Sequence, residues 1–497
     1  MATASRVVSI PKLLLSGSQV ASLKESLTFC DNREPEFAQP PLIAFEETTH
    51  AIKIPRIFGI GFCNDNGISF VDLISDGDDI QTQFKGTLRD IQEPAVASAI
   101  EALSAQPHGA TLSLYCGAGK TTCSLYISSI IAKKTLILVH TSALAAQWKD
   151  RIEQFVEGAS VGSIRGEVCD IEHRTHCVAL MQTIYRRTGE RSLPEALLNS
   201  FGLLIVDEAH HVPAQRLSTC IALVGCKRRL GLSATLERKD GATQFTFCAL
   251  GPVCHELRRD GDGTTRVYAI RTGTEVEMNL VRRAGKSTPN ISRAINDLCD
   301  DAARTSLIIS WIVKCARVGR KIIVLSDRRS HLERMDESLS AKGIQAVQMM
   351  GGVSDAQRLI AETAPVLLAT YAFASEGLDI AALDTCILVS PRRDVVQCVG
   401  RILRIHVNKK SPLVIDLVDE RIGVFLNQFR ARSRYYKSPR LAATVTFYNG
   451  LEKVAPPVQK TASKPVQNSN AFMFDMSVVP QPKKAKTSSL QDWINNK

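Results

Sequence analysis

At 497 residues the chain exceeds one ordinary domain, and two or three folded units are expected. Apolar residues make up 44%, enough for proper cores, and the net charge of +11 favours a polyanionic partner. The 14 cysteines include no C-x-x-C pair, and no apolar run nears the ~20 residues that span a bilayer, which argues against a disulfide-framed or membrane-spanning protein and predicts a soluble intracellular one.

Residues 1–86 read as a small accessory domain, in which "AIKIPRIFGIGF" and "GISFVDLI" predict short strands with glycine turns. From residue 87 the character changes. Short, nearly unbroken aliphatic runs end abruptly in small or polar residues: "TLILVH" (135–140), "CVALM" (177–181), "LLIVDE" (203–208), "RLGLSAT" (229–235), "KIIVLSD" (321–327), "PVLLAT" (365–370), "TCILVS" (385–390) and "LVIDLVD" (413–419). Runs without alternation are what strands look like when helices cover both faces of a sheet. They fall into two groups around the polar stretch 256–300. The fold class expected is therefore α/β, with two tandem doubly wound parallel-sheet domains, 87–270 and 271–437. Residues 438–497 are rich in Pro, Ser and Lys and predict a flexible tail, with a basic cluster at Lys483, Lys484 and Lys486.

"LSLYCGAGKTT" carries Cys116, Gly117, Ala118, Gly119, Lys120, Thr121 and Thr122 between an apolar stretch and a helical one. Glycines let backbone N–H groups curl around phosphate oxygens, and the following helix presents its positive end. Lys120 is expected on the β- and γ-phosphates of ATP, and Thr121 on Mg²⁺. The strict G-x-x-x-x-G-K-[ST] spacing wants glycine at 114, where this chain has Leu114.

"GLLIVDEAHHVPAQ" (202–215) crowds two carboxylates and two imidazoles at a strand end. Beside a phosphate loop the crowding makes sense. Asp207 is expected to hold Mg²⁺ and Glu208 to polarise the attacking water. His210 then serves as a relay and His211 as a helix-start residue. A metal hydrolase would want H-E-x-x-H on a helix, which this segment lacks. "CDIEHRTHC" has zinc-like residue types in Cys169, His173, His176 and Cys177, but the last two enter an apolar run and the four are not expected to converge.

In the second half, "VVQCVGRILR" puts Gln397, Arg401 and Arg404 on one helix face by spacing. Guanidinium groups on a second domain can close over a γ-phosphate and tie hydrolysis to closure. "ATYAFASEGLDI" supplies Gly377 and Asp379 at a strand exit facing the same cleft.

The ordered set "CGAGKT", "DEAH", "SAT" (Ser233 to Thr235), "SEGLD" and "QCVGRILR" resembles the superfamily 2 helicases over about residues 87–437. The resemblance implies two RecA-like domains, ATP and Mg²⁺ as cofactors, nucleic acid as partner, and coupling roles for His210, Ser233, Thr235 and Gln397. "LRDIQ" (88–92) looks like the adenine-recognising element, with Gln92 reading the base. "HTSALAAQWKDRI" and "ALMQTI" look like strand-gripping motifs. "RRLGLSATLERKDG" is most similar to the XPB/UvsW branch, which implies DNA as substrate. That branch has Arg-Glu-Asp after the SAT motif, where this chain has Arg238, Lys239 and Asp240, a reversal of the central charge. "KIIVLSDRRSHLERM" and "RARSRYYK" resemble helicases of large cytoplasmic DNA viruses, including the poxvirus transcript-release type, which implies host cytoplasm, virion or nucleus and a transcription or repair role. Arg238, Lys239, Arg328 and Arg329 are then candidate strand contacts. An RNA helicase is the nearest rival, and an inactive nucleic-acid-binding scaffold a rival of another class. The intact Lys120, Asp207, Glu208, Arg401 and Arg404 argue against the scaffold.

Overall fold

All eight aliphatic runs form strands, and each strand is buried because its two faces feed different cores. In Thr135–Val139, Leu136 and Leu138 face one cluster while Ile137 and Val139 face another. In Ile322–Ser326, Ile322 and Val324 divide from Ile323 and Leu325 in the same way. This two-sided burial is why no polar alternation is visible in the sequence. The computed structural model describes residues 1–30, 41–115, 117–186, 199–209, 220–221, 223–234, 243–258, 263–283, 286–350, 355–376, 380–404, 406 and 409–455.

The first large sheet has eight strands in the order Val168–Asp170, Val161–Arg165, His176–Leu180, Thr135–Val139, Leu203–Val206, Arg228–Ser233, Gly109–Leu114 and Val253–Leu257. Its pairings are parallel except between the first two strands. The second runs Ala346–Met349, Val366–Thr370, Ile322–Ser326, Thr385–Leu388, Leu413–Val418, Arg266–Arg271, Thr444–Asn449 and Glu452–Val454, with only the last pairing antiparallel. Helices cover both sheets, as in tandem RecA-like folds.

Two expected boundaries shift. Strand Arg266–Arg271 lies inside the second sheet, ahead of residue 271, and Thr444–Asn449 pairs beside it, past residue 437. "RVYAIR" is short and flanked by charges, so it reads as part of a polar connection. "TVTFYN" stands next to the Pro- and Lys-rich composition that masks it. The remainder of the expected tail, with Lys483, Lys484 and Lys486, lies outside the described residues.

The N-terminal region is a five-stranded sheet in the order Glu46–Glu47, Ala51–Pro55, Val7–Pro11, Ala2–Ala4 and Phe70–Asp72. One expectation fails here: "RIFGIGF" is not strand and turn but the core of helix Arg56–Asp65. Ile57, Ile60 and Cys63, three apart, are its buried face. Gly59 is there for proximity, since a Cβ on it would lie 2.6 Å from Val8 Cβ. This region is tied to the first sheet through Asp76, which meets Arg228 at 2.8 Å and Lys133 at 3.0 Å. Burial pushes the Asp76 carboxyl up, but hydrogen bonds from Arg228 and Lys133 win and hold it down at about 2.

Candidate nucleotide site

Strand Gly109–Leu114 ends at the glycine loop, and helix Lys120–Ile131 starts immediately after it. Gly117 and Gly119 have φ of 89° and 92°, left-handed values that explain why both are glycine. Ala118 between them is fully buried. Helix Lys120–Ile131 has no side-chain cap, so the N–H groups of its first turn are presented to whatever lies in front of the loop. Cys116 lies outside the described residues. Thr121 and Thr122 occupy the first helical turn and are partly accessible.

The acidic strand end sits opposite. Lys120 Nζ pairs with Glu208 Oε1 at 2.6 Å, and both side chains are largely but not wholly buried. Asp207 is buried, and its Oδ2 accepts a hydrogen bond from Trp148 Nε1 at 2.8 Å. Burial and then the adjacent Glu208 charge push the Asp207 carboxyl up, against the opposing pull of Lys120, the Trp148 N–H and His140. Glu208 adopts φ of 47°, an uncommon value for a side chain of its size, and such strain concentrates where geometry serves chemistry. Trp148 is a residue the sequence reading passed over. It arrives because helix Ser142–Phe155 buries Leu144, Trp148 and Ile152, each four apart, against the sheet. A buried indole needs an acceptor, and Asp207 supplies it.

Gln92 precedes helix Glu93–Ser104 and is only 3% exposed. Its Nε2 donates to Ala118 O at 2.8 Å, and its Oε1 accepts from Arg89 N at 2.9 Å. The glycine loop is thus its nearest neighbour.

From the second lobe, Arg404 reaches the loop: a Cβ on Gly117 would stand 3.5 Å from Arg404 Cγ. The expected single helix face does not hold for it, because helix Val396–Arg401 ends three residues earlier and Arg404 follows in a turn. Val399 and the C-cap residue Ile402 are buried in the second core. Gln397 and Arg401 are on the helix, and Arg401 Nε donates to Ala374 O at 2.9 Å. A cleft of about 620 Å³, open to solvent, lies between the lobes, with Ser113, Tyr115, Ala234 and Glu256 on one side and Gly400, Leu403 and Tyr435 on the other.

Comparison with known proteins fits this arrangement. Residues 85–238 match the family described as the res subunit of type III restriction enzymes, and residues 304–406 match the helicase conserved C-terminal domain. The chain belongs to the superfamily 2 helicases. A protein of Acanthamoeba polyphaga mimivirus, provisionally named ATP-dependent RNA helicase L396, is 27% identical over 87% of this chain and 84% of its own length. Among solved structures, a fragment of a provisionally assigned HsdR subunit of a type I restriction enzyme from Vibrio vulnificus YJ016 has a TM-score of 0.52 at 17% identity, covering 79% of this chain and 74% of that one. Dbp5 of S. cerevisiae, bound to RNA and ADP BeF3, has a TM-score of 0.50 at 15% identity, covering 72% and 89%. At those identities the likeness is one of fold.

Ser233 ends strand Arg228–Ser233 and is 4% exposed. His210, His211, Thr235, Arg238, Lys239, Asp240, Gly377 and Asp379 lie outside the described residues. Arg328 is engaged within its own lobe: it donates to Asn296 Oδ1 and, at 3.0 Å each, to Ser292 O and Oγ. Both ring nitrogens of His176 meet hydroxyls, Ser128 Oγ and Thr175 Oγ1, at 3.0 Å. Among the described residues no group of three or more His, Cys, Asp or Glu is placed to hold a metal ion, and no helix is long and apolar enough to cross a membrane.

Proposed function

We infer that this superfamily 2 helicase is an ATP- and Mg²⁺-dependent translocase that separates or remodels DNA strands, serving viral transcription or DNA repair. The observation that carries the reading is the approach of Arg404, from one lobe, to Gly117 of the other, directly beside the Lys120–Glu208 pair. The donor set fits a divalent cation. Thr121 offers a hydroxyl, and Asp207 is a buried carboxyl whose charged form is disfavoured as it stands. Bound there, the cation would neutralise phosphate charge.

The chain's own residues do the rest. Lys120 is held by Glu208 in this structure, so phosphate oxygens compete for the ammonium and free the carboxylate as they arrive. Glu208 then accepts the proton of the attacking water. Arg404 and Arg401 neutralise charge on the transferring phosphoryl group, and because they ride on the second lobe, hydrolysis is tied to lobe closure. Ser233 and Gln397 connect that closure to the strand-binding face. Loop amides and side chains would grip the phosphodiester backbone with little sequence preference and strong salt sensitivity.

DNA is preferred for the likeness of "RRLGLSATLERKDG" to the XPB/UvsW branch. The RNA reading draws on the name of the mimivirus relative. The deciding experiment compares ATPase stimulation by duplex DNA, single-stranded DNA and RNA at fixed salt. Stimulation by DNA well above that by RNA is expected, and the reverse order would replace the DNA reading with the RNA one.

A further inference from the structure

Three carbonyls of the glycine loop are engaged, and two of them by side chains from "LRDIQ". Gly119 O accepts from Cys123 N at 2.9 Å, which is the first turn of the helix. Ala118 O accepts from Gln92 Nε2 at 2.8 Å and also from Arg89 Nη2. Gly117 O accepts from the same Arg89 nitrogen at 3.3 Å. Arg89 and Gln92 are themselves joined, since Arg89 N donates to Gln92 Oε1. The packing leaves no slack: a Cβ on Gly119 would meet Gln92 Nε2 at 2.2 Å and Arg89 Nη2 at 3.1 Å.

In a trans peptide the C=O and the next N–H point in opposite directions. Holding Ala118 O against Gln92 and Arg89 therefore turns the Gly119 N–H to the far side of the loop. The left-handed φ at Gly117 and Gly119 is what lets consecutive amides converge on one concave side, the geometry of an anion nest. Without the two donors the 118–119 peptide could rotate, and a buried carbonyl would be left without a partner.

The geometry points to Arg89 as a positioning residue, which together with Gln92 braces the glycine loop so that its amides are set for phosphate before nucleotide arrives. This rests on the reading of residues 117–122 as the phosphate site. It moves the main work of "LRDIQ" from reading the base to shaping the phosphate nest. An arginine suits the task because one terminal nitrogen, Nη2, carries two N–H groups for the two neighbouring carbonyls and the planar guanidinium fixes their directions, whereas the ammonium of a shorter lysine would have to reach and rotate into the same position.

The test uses the full chain, with ATP, GTP and inorganic tripolyphosphate as ligands in a competition binding assay and melting temperature as the fold check. Arg89 is surface-accessible, so its replacement should leave the fold intact. Arg89→Ala is expected to weaken ATP and tripolyphosphate by the same factor, about tenfold, with the ATP-to-GTP ratio unchanged. Gln92→Ala, which alters no charge, should show the same parallel loss. Arg89→Lys should recover only part of it. Full recovery by lysine would mean that charge alone matters and would overturn the brace. So would a loss confined to ATP with tripolyphosphate binding intact, because that is the signature of base reading. Lys120→Ala separates the two levels: if tripolyphosphate binding survives that change, the phosphate-site assignment itself fails and the brace falls with it.

Discussion

Two aliphatic strands of this chain end alike in their letters and differently in their use. Leu203–Val206 runs into Asp207 and Glu208, whereas Leu413–Val418 carries Asp416 and runs into Asp419. In the second lobe each aspartate is locked. Arg304 grips Asp419 through Nε at 2.8 Å and Nη2 at 3.0 Å, with Thr272 Oγ1 at 2.9 Å. Arg432 grips Asp416 at 2.8 and 2.9 Å, and the Tyr436 hydroxyl donates to the same carboxylate. All four charged partners are buried. In the first lobe Trp148 donates to Asp207 and Lys120 pairs with Glu208, and burial with the Glu208 charge pushes Asp207 up. A carboxylate saturated by a forked guanidinium holds a fold together, while one left short of positive charge is ready for a substrate or a cation.

Substitutions at the two strand ends should therefore fail in opposite ways. The largest effect is expected from Lys120→Ala, which should leave no measurable ATPase while the melting temperature holds. Glu208→Gln should retain ATP binding and lose hydrolysis, read by comparing nucleotide affinity with turnover. Full ATPase in Glu208→Gln would remove the general base from the reading. Arg404→Ala comes next, with a loss in turnover of about 10³-fold and little change in ATP affinity. An unchanged rate would show that its approach to Gly117 has no catalytic use.

Stability sharpens the contrast. Asp419→Asn leaves Arg304 buried with half a partner and should cost about 3–5 kcal/mol in urea unfolding. Asp207→Asn removes a repulsion with Glu208 and should not lower stability, even as activity is lost. Equal losses in the two variants would erase the distinction drawn here.

The smallest effect is one of pH, and both lobes share it. Burial holds His176 down at about 4, and burial with the charges of Arg304 and Arg334 holds His331 down at about 3. Unfolded histidine protonates near 6.5, so the folded state keeps its full stability above that pH. It loses stability as pH falls from about 6.5 towards 4 and then 3, by about 1–2 kcal/mol per histidine at pH 5. Melting temperatures between pH 7.5 and 5 should show the decline, and His331→Gln should lessen it while leaving the share due to His176. A flat wild-type profile would mean that these rings take up protons while folded.

What the sequence made legible follows from length and repetition. Aliphatic runs of five or six residues covered on both faces announce themselves, and Gly-x-Gly-Lys-Thr before a helix has few other uses. Strand Arg266–Arg271 was hidden because arginines stand at both its ends. Helix Arg56–Asp65 was hidden because Gly59 reads as a turn when its actual role is close approach to Val8. In the site, Arg404 lies beyond the helical spacing, which stops at Arg401, so its position beside Gly117 comes from the segment that follows the helix. Arg89 gave only a faint signal, three residues ahead of Gln92, and its partners are carbonyls, which no side-chain pattern records.

The position of Arg266–Arg271 bears on how the molecule is made. It is the first strand of its sheet to leave the ribosome, yet both of its neighbours, Leu413–Val418 and Thr444–Asn449, are synthesised well over a hundred residues later. The first lobe can close while translation continues, whereas the second must wait with an unpaired aliphatic strand until almost the whole described chain has emerged. Pairings so distant in sequence form slowly, so nascent chains stalled before residue 444 should carry a finished first lobe and a protease-sensitive second one.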